Sequence, residues 1–209
     1  MKSSLFWFIL TLLAIAGLTL ISPQEQTLGS GVRIVYLHGA WVWTALAAFG
    51  AAALAGAVGL LTRRLAWHRW SLALGRTGLF FWITYLPLSM WASSANWNGL
   101  FLSEPRWRLA FIYSVVGLLL QLGLTLIDKP SWASAANIIF LGALMFSLAT
   151  TERVLHPPSP IFTSDSLRIQ LFFRGLLALT LAAAYQIAAW LRRRNSQPST
   201  NPESNIPGG

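Results

Sequence analysis

Residues 34–61 read IVYLHGAWVWTALAAFGAAALAGAVGLL and contain no aspartate, glutamate, lysine or arginine. About 20 apolar residues in a helix cross the ~30 Å hydrocarbon core of a bilayer, and this stretch is longer than that. Backbone polar groups find no water in lipid and must pair within the segment, so the stretch predicts a membrane helix. Small residues recur at a spacing of four, at Ala48, Ala52 and Gly56, which favours close packing and a central place in a bundle.

Further apolar runs lie on both sides of this stretch, at residues 5–22, 72–91, 107–127, 132–149 and 169–191. Each approaches or exceeds the length of a membrane span. The first run is longer than a signal-peptide core of about 7–15 residues, and no A-x-A site follows it, so we expect a retained helix. We therefore predict an all-α, polytopic integral membrane protein with six transmembrane helices over residues 1–194. The tail over residues 195–209 is rich in Pro, Ser and Asn and is expected to be disordered.

The composition of the chain favours the same class. It is 55 % hydrophobic and 10 % charged, whereas a soluble domain carries about 25 % charged residues. There is no cysteine, which excludes disulfides, thiolate metal sites and the attachment motif of c-type haem. The net charge of +9 would suit nucleic acid. However, the basic residues cluster at helix ends, which indicates membrane topology, so we expect no nucleic-acid binding.

The positions of the lysines and arginines predict which ends of the helices face the cytoplasm. Six helices put both termini on one side, and that side holds most of the 15 basic residues. Two tight clusters lie there, one formed by Arg63, Arg64 and Arg69 and the other by residues 192–194. The positive-inside rule then predicts that both termini are cytoplasmic, in a bacterial cytoplasmic (inner) membrane.

Two of the three histidines fall on the predicted outer, periplasmic side. His38 lies about one turn inside the second apolar run, where an ionisable residue is by default a functional candidate. His156 follows the fifth run, in a connection stiffened by Pro157 and Pro158. Neutral imidazole is a good ligand for haem iron, so the pair suits axial coordination of one haem b. Taken singly, each histidine also fits an ordinary interfacial or solvated side chain. The third histidine, His68, faces the other side.

Residues 91–107, which read WASSANWNGLFLSEPRW, form an aromatic connection on the same outer side. Its aromatic rings offer flat apolar surface for a porphyrin. The rings in question are those of Trp97, Phe101 and Trp107. Arg106 or Arg153 suits haem propionates, because a planar guanidinium binds carboxylates through two hydrogen bonds. The same residues also fit an aromatic belt with ordinary interfacial arginines.

Few residue patterns in the sequence indicate other kinds of chemistry. No Ser/His/Asp grouping stands out, and neither an H-x-x-x-H nor an H-E-x-x-H spacing is present. A nucleophilic catalyst or a hydrolytic metal site is therefore not indicated, and we do not expect an enzyme. No Asp, Glu or Lys falls in the middle of a predicted helix, which disfavours ion-coupled transport.

Taken together, these segments resemble the haem-handling proteins of cytochrome c biogenesis, the CcmC/CcsA type with a tryptophan-rich external loop. The stretch Ile34-Val35-Tyr36-Leu37-His38 is similar to that family's I-M-Y-I-H, and Trp43 falls where the family has a tryptophan. The resemblance spans residues 32–191.

Two further family patterns are matched in part. Leu155-His156 corresponds to the end of the family's W-N-T-L-H, and Glu104-Pro105-Arg106 to the end of W-x-W-D-[AP]-R. Phe101 and Ser103 stand at the tryptophan positions of the second pattern.

The resemblance implies a function and a set of site residues. By it, His38 and His156 are the axial ligands. The cofactor-binding residues that we expect around them are Trp43, Trp97, Phe101, Glu104, Arg106, Trp107 and Arg153. The protein would hold b-type haem at the outer membrane face and deliver it for cytochrome c maturation. Its partners would be haem, membrane lipid and other maturation proteins or a membrane complex.

Two alternatives stay open at this point. One is a haem-free membrane subunit or assembly scaffold of a larger complex. The other is a haem b electron-transfer subunit, which would need a second redox centre supplied by a partner.

Overall fold

Six α-helices make up the fold. The computed structural model describes residues 2–26, 28–152, 161 and 164–194, and within them it contains no β-strand. The helices are α1 (Lys2–Leu20), α2 (Val32–Thr62), α3 (Leu65–Trp97), α4 (Pro105–Ile127), α5 (Pro130–Thr150) and α6 (Leu167–Arg194). The prediction of an all-α protein is confirmed. The tail predicted to be disordered, residues 195–209, lies outside the described residues.

Four of these helices, α2, α4, α5 and α6, are long and apolar enough to cross a membrane. Helix α1 carries a shorter apolar segment over Ser4–Leu20. Helix α3 has 33 residues but is less apolar, with Arg69 and Arg76 along it. Many large apolar side chains are exposed, Leu126 to 79 % and Leu119 to 64 %. Soluble monomers rarely expose apolar surface on this scale, so the helices are compatible with a multi-pass membrane protein.

Local chemistry explains where the helices begin and end. Helices α4 and α5 start with Pro105 and Pro130 in the first turn, where the missing N–H would have had no helical partner. Helices α2, α3 and α4 end at residues with a left-handed backbone, namely Arg63, Asn98 and Asp128, at φ 55°, 53° and 50°. Asn and Asp adopt this conformation more readily than most residues. The resulting turns after α2 and α4 are tight and reverse the chain direction.

Helix α3 is longer than its apolar run predicts. The run covers residues 72–91, whereas the helix spans Leu65–Trp97. An apolar run marks only the part of a helix suited to hydrocarbon, while backbone hydrogen bonding continues into polar sequence at both ends. The extra turns carry His68 at one end and Asn96 at the other. The His68 side chain bonds to Ser134 of α5, and the Asn96 side chain bonds to Gly31, just before α2.

Helices α2 and α3 form the centre of the bundle. Helix α2 packs along α3 and also contacts α1, α5 and α6, while α3 contacts α4, α5 and α6. Two peripheral pairs, α1 with α6 and α4 with α5, flank this centre. A Cβ atom added to Gly56 would lie 2.9 Å from the carbonyl oxygen of Ser134 in α5, so the two backbones approach closely there. The predicted central place of α2 is confirmed.

Candidate functional site

Three connections meet at one end of the bundle, which we call the His38 end. The Asn96 amide at the end of α3 donates to the carbonyl of Gly31 before α2, at 3.1 Å. Arg106 at the start of α4 donates to the carbonyl of Leu148 near the end of α5, at 3.1 Å. Ile161, between α5 and α6, lies 3.7 Å from the position of a Cβ atom on Gly39. The connections α1–α2, α3–α4 and α5–α6 therefore share this end.

His38 lies half-buried in the second turn of α2. Its ring centroid is 5.5 Å from that of Tyr85 in α3, at an interplanar angle of 52°. The next residue is Gly39, and its missing side chain lets the Phe173 ring of α6 come within 3.4 Å of where a Cβ atom would be. Both Tyr85 and Phe173 are buried. The imidazole thus stands beside aromatic surface where α2, α3 and α6 come together.

Glu104 is buried near this position, at 5 % exposure. Its carboxylate accepts a hydrogen bond of 2.6 Å from the backbone N–H of Trp107 and caps α4, with Pro105 at the first helical position. A carboxylate is stabilised at a helix N-terminus by unpaired N–H groups and by the helix dipole. The same carboxylate lies within electrostatic range of the Tyr85 phenol. Glu104-Pro105-Arg106 therefore has a local role as the start of a helix.

The aromatic residues predicted for the site have surroundings of their own. Trp43 is 45 % exposed and, five residues further along α2, projects about 140° around the helix from His38. Trp97 and Phe101 are 45 % and 40 % exposed at the end of α3 and in the loop after it. Trp107 stacks on Phe111 of its own helix, with ring centroids 5.8 Å apart. Trp97 and Phe101 thus remain partly open to the surroundings, while the Trp107 ring is engaged within α4.

Two predicted residues, Arg153 and His156, lie outside the described residues. Arg106, in contrast, is described, and its hydrogen bond to Leu148 links α4 to α5. Of the nine residues predicted for the site, the structure brings His38 and Glu104 into one neighbourhood, joined by Tyr85.

Sequence reasoning missed Tyr85, Phe173 and the packing role of Tyr36. The Tyr36 ring is 1 % exposed and packs on Phe172 of α6, with centroids 5.3 Å apart. A signal for Tyr85 existed, because it is a polar aromatic residue near one end of its apolar run, as His38 is near one end of its own. No comparable signal marks Phe173, whose contact with α2 depends on how α6 is rotated.

The opposite end of the bundle holds a second polar cluster around His68, which is 8 % exposed. His68 Nδ1 and the Ser134 hydroxyl are 2.7 Å apart, and the Asn137 amide donates to the Ser71 carbonyl at 2.9 Å. The Ser71 hydroxyl donates to the carbonyl of Ala52 at 2.8 Å. These bonds join α2, α3 and α5. Such bonds between membrane helices contribute about 0.6–2 kcal/mol each.

His68 cannot share a ligand with His38. It packs against Gly59, which lies 21 residues after His38, or roughly 30 Å further along α2. His68 and His38 therefore lie at opposite ends of the bundle. Within the part of the chain that the structure describes, no three His, Asp or Glu residues gather as a metal cluster.

An apolar groove of about 620 Å³ runs between α4 and α5. Its floor contains small residues such as Gly123 and Ala136, and Trp132 stands on one wall. None of the residues predicted for the haem site lines it. The groove offers neither an imidazole nor a guanidinium, so it suits an acyl chain better than a porphyrin.

Fold and site together define an all-helical protein whose long apolar helices suit a membrane and whose most distinctive side chain is a histidine at one bundle end. No protein-family model matches the chain, and comparisons with curated proteins and with solved structures find no match.

Proposed function

We propose that this protein is a six-span membrane protein that binds b-type haem at its outer face through His38 and His156 and delivers it for cytochrome c maturation. In this proposal both termini are cytoplasmic and the His38 end is periplasmic. The supporting charge pattern is the concentration of arginines at the opposite end of the bundle.

The single observation that carries the proposal is the position of Ile161. This residue, five places after His156, packs beside Gly39, the residue that follows His38 in α2. Five residues of extended chain span at most about 17 Å. The connection that contains His156 thus returns to the bundle end that carries His38, and the chain is short enough to bring both imidazoles to one ligand.

The chemistry of the His38 end fits a haem. His38 supplies an imidazole in a half-buried position, and Tyr85 supplies aromatic surface beside it. Bound haem would supply an iron centre, which His38 and His156 would hold through imidazole nitrogen. The chain's own residues would hold the ligand, orient it through the rigid ends of α2 and α3, and keep it close to the membrane surface for release.

A second candidate function is a haem-free scaffold within a larger membrane complex. The observation that favours it is the engagement of Glu104 and Arg106 in helix capping and helix linking. The apolar outer face of α4, with Leu118 and Leu122 more than half exposed, would then contact partner helices.

Haem binding and transfer separate the two candidates. Detergent-solubilised protein titrated with haem is expected to develop a Soret band that saturates at one haem per chain. Mixing with apomyoglobin should then move the haem to the soluble acceptor. A titration without a saturable Soret band, together with stable co-purification of other membrane proteins, would decide for the scaffold.

A further inference from the structure

Six arginines converge at the bundle end opposite His38, which we call the arginine end. They come from two segments far apart in the sequence, and they are Arg63, Arg64, Arg69, Arg192, Arg193 and Arg194. The Arg192 guanidinium lies 4.5 Å from the centroid of the Trp70 ring, and Trp70 stacks on Tyr185 at 6.2 Å. These contacts place the start of α3 beside the end of α6 and join the two basic segments into one surface.

The sequence around these arginines supplies no compensating charge. Residues 62–76 and 185–194 contain no aspartate or glutamate. Arg64 and Arg193 are exposed, so their guanidinium groups are available to an anion. The surface is therefore strongly cationic and accessible from outside the bundle.

Apolar and aromatic side chains border the same surface. Trp67 and Trp190 are 40 % and 47 % exposed, and Leu61 is 85 % exposed. Arg194 lies over the Trp190 ring at 5.6 Å. Tryptophan concentrates at the level of lipid headgroups, where one side of the ring meets hydrocarbon and the other meets water. An acidic soluble protein would match the charges but would leave these apolar side chains uncovered.

We propose that the arginine end binds anionic phospholipid through its headgroup phosphates, with a two-phosphate headgroup bound more tightly than a one-phosphate headgroup. Guanidinium binds phosphate through paired hydrogen bonds and is less strongly hydrated than ammonium. Each basic residue near an anionic lipid surface adds about fivefold in affinity. The exposed tryptophans and Leu61 would contact the glycerol region and the upper acyl chains. This inference stands apart from the haem proposal.

The test is a count of bound lipids by native mass spectrometry. Protein in neutral detergent is titrated separately with phosphatidylcholine, phosphatidylglycerol and diphosphatidylglycerol. We expect binding to rise in that order. The double variant R64Q/R193Q should lose roughly 25-fold in affinity for both anionic lipids and keep its affinity for phosphatidylcholine. The matched control is R108Q/R168Q, which removes two exposed arginines at the His38 end and should change nothing.

Three outcomes would overturn this assignment. They are equal binding of all three lipids by the unaltered protein, equal losses in the test and control pairs, and full displacement of the lipid by inorganic phosphate. If R64Q/R193Q fails to fold, the unaltered protein still decides the matter, because its binding of anionic lipid must fall as salt is raised while its binding of phosphatidylcholine does not. Haem binding is unaffected by any of these results.

Discussion

Replacement of His38 by alanine is expected to shift the Soret band of the haem-loaded protein, because one of the two iron ligands is lost, and to weaken haem binding by more than about 100-fold. Loss of an outer-shell partner of a metal ligand costs about 10–100-fold in affinity, and loss of the ligand itself should exceed that. His156→Ala should give a loss of the same order, because each imidazole would supply one axial bond. Absorption spectroscopy during haem titration measures both effects.

The matched control for these variants is His68→Gln. It alters the one other histidine of the chain, at the far end of the bundle, and glutamine can still bond to the Ser134 hydroxyl that His68 contacts at 2.7 Å. Its haem titration should match that of the unaltered protein. A Soret band of unchanged position, together with unchanged haem affinity, in both His38→Ala and His156→Ala would contradict the proposed ligation.

Substitution of Gly56 by valine is expected to lower the free energy of unfolding by about 3 kcal/mol or more. Overpacking of a tight interior costs about 1–3 kcal/mol, and the upper end applies because the nearest atom is backbone. A Cβ atom at Gly56 would lie 2.9 Å from the Ser134 carbonyl oxygen and 3.2 Å from its Cα atom. Neither atom can move without separating α2 from α5.

Gly50→Val is the control for this effect. It lies on the same helix, and a Cβ atom there would meet nothing within 4 Å. Valine is a somewhat better helix former than glycine, so Gly50→Val should be neutral or slightly stabilising. Unfolding in mixed micelles with increasing sodium dodecyl sulfate, followed by tryptophan fluorescence, compares the two. Equal stability of the two variants would show that α2 does not pack against α5 as described.

The sequence predicted the helices well because apolar length is a local property. The run at residues 34–61 lies inside α2. The spacing of Ala48, Ala52 and Gly56 predicted the central place of α2, since small residues are what close helix packing requires.

The site was less predictable because it depends on how helices are rotated against one another. The resemblance to haem-handling proteins supplied Trp43, yet this residue points to a different face of α2 from His38. Tyr85 of α3 lies beside His38, and Phe173 of α6 lies beside Gly39. No short-range sequence pattern specifies which turns of two helices will meet. Glu104-Pro105-Arg106 was interpreted through the same resemblance, while its capping of α4 follows from local chemistry alone.

Electron paramagnetic resonance of the oxidised, haem-loaded protein tests the proposed pair of ligands most directly. Two axial imidazoles make ferric haem six-coordinate and low-spin. We predict a low-spin signal for the unaltered protein and its loss, with a high-spin signal in its place, in both His38→Ala and His156→Ala. A high-spin signal from the unaltered protein, or a low-spin signal that persists in either variant, would contradict axial ligation by His38 and His156.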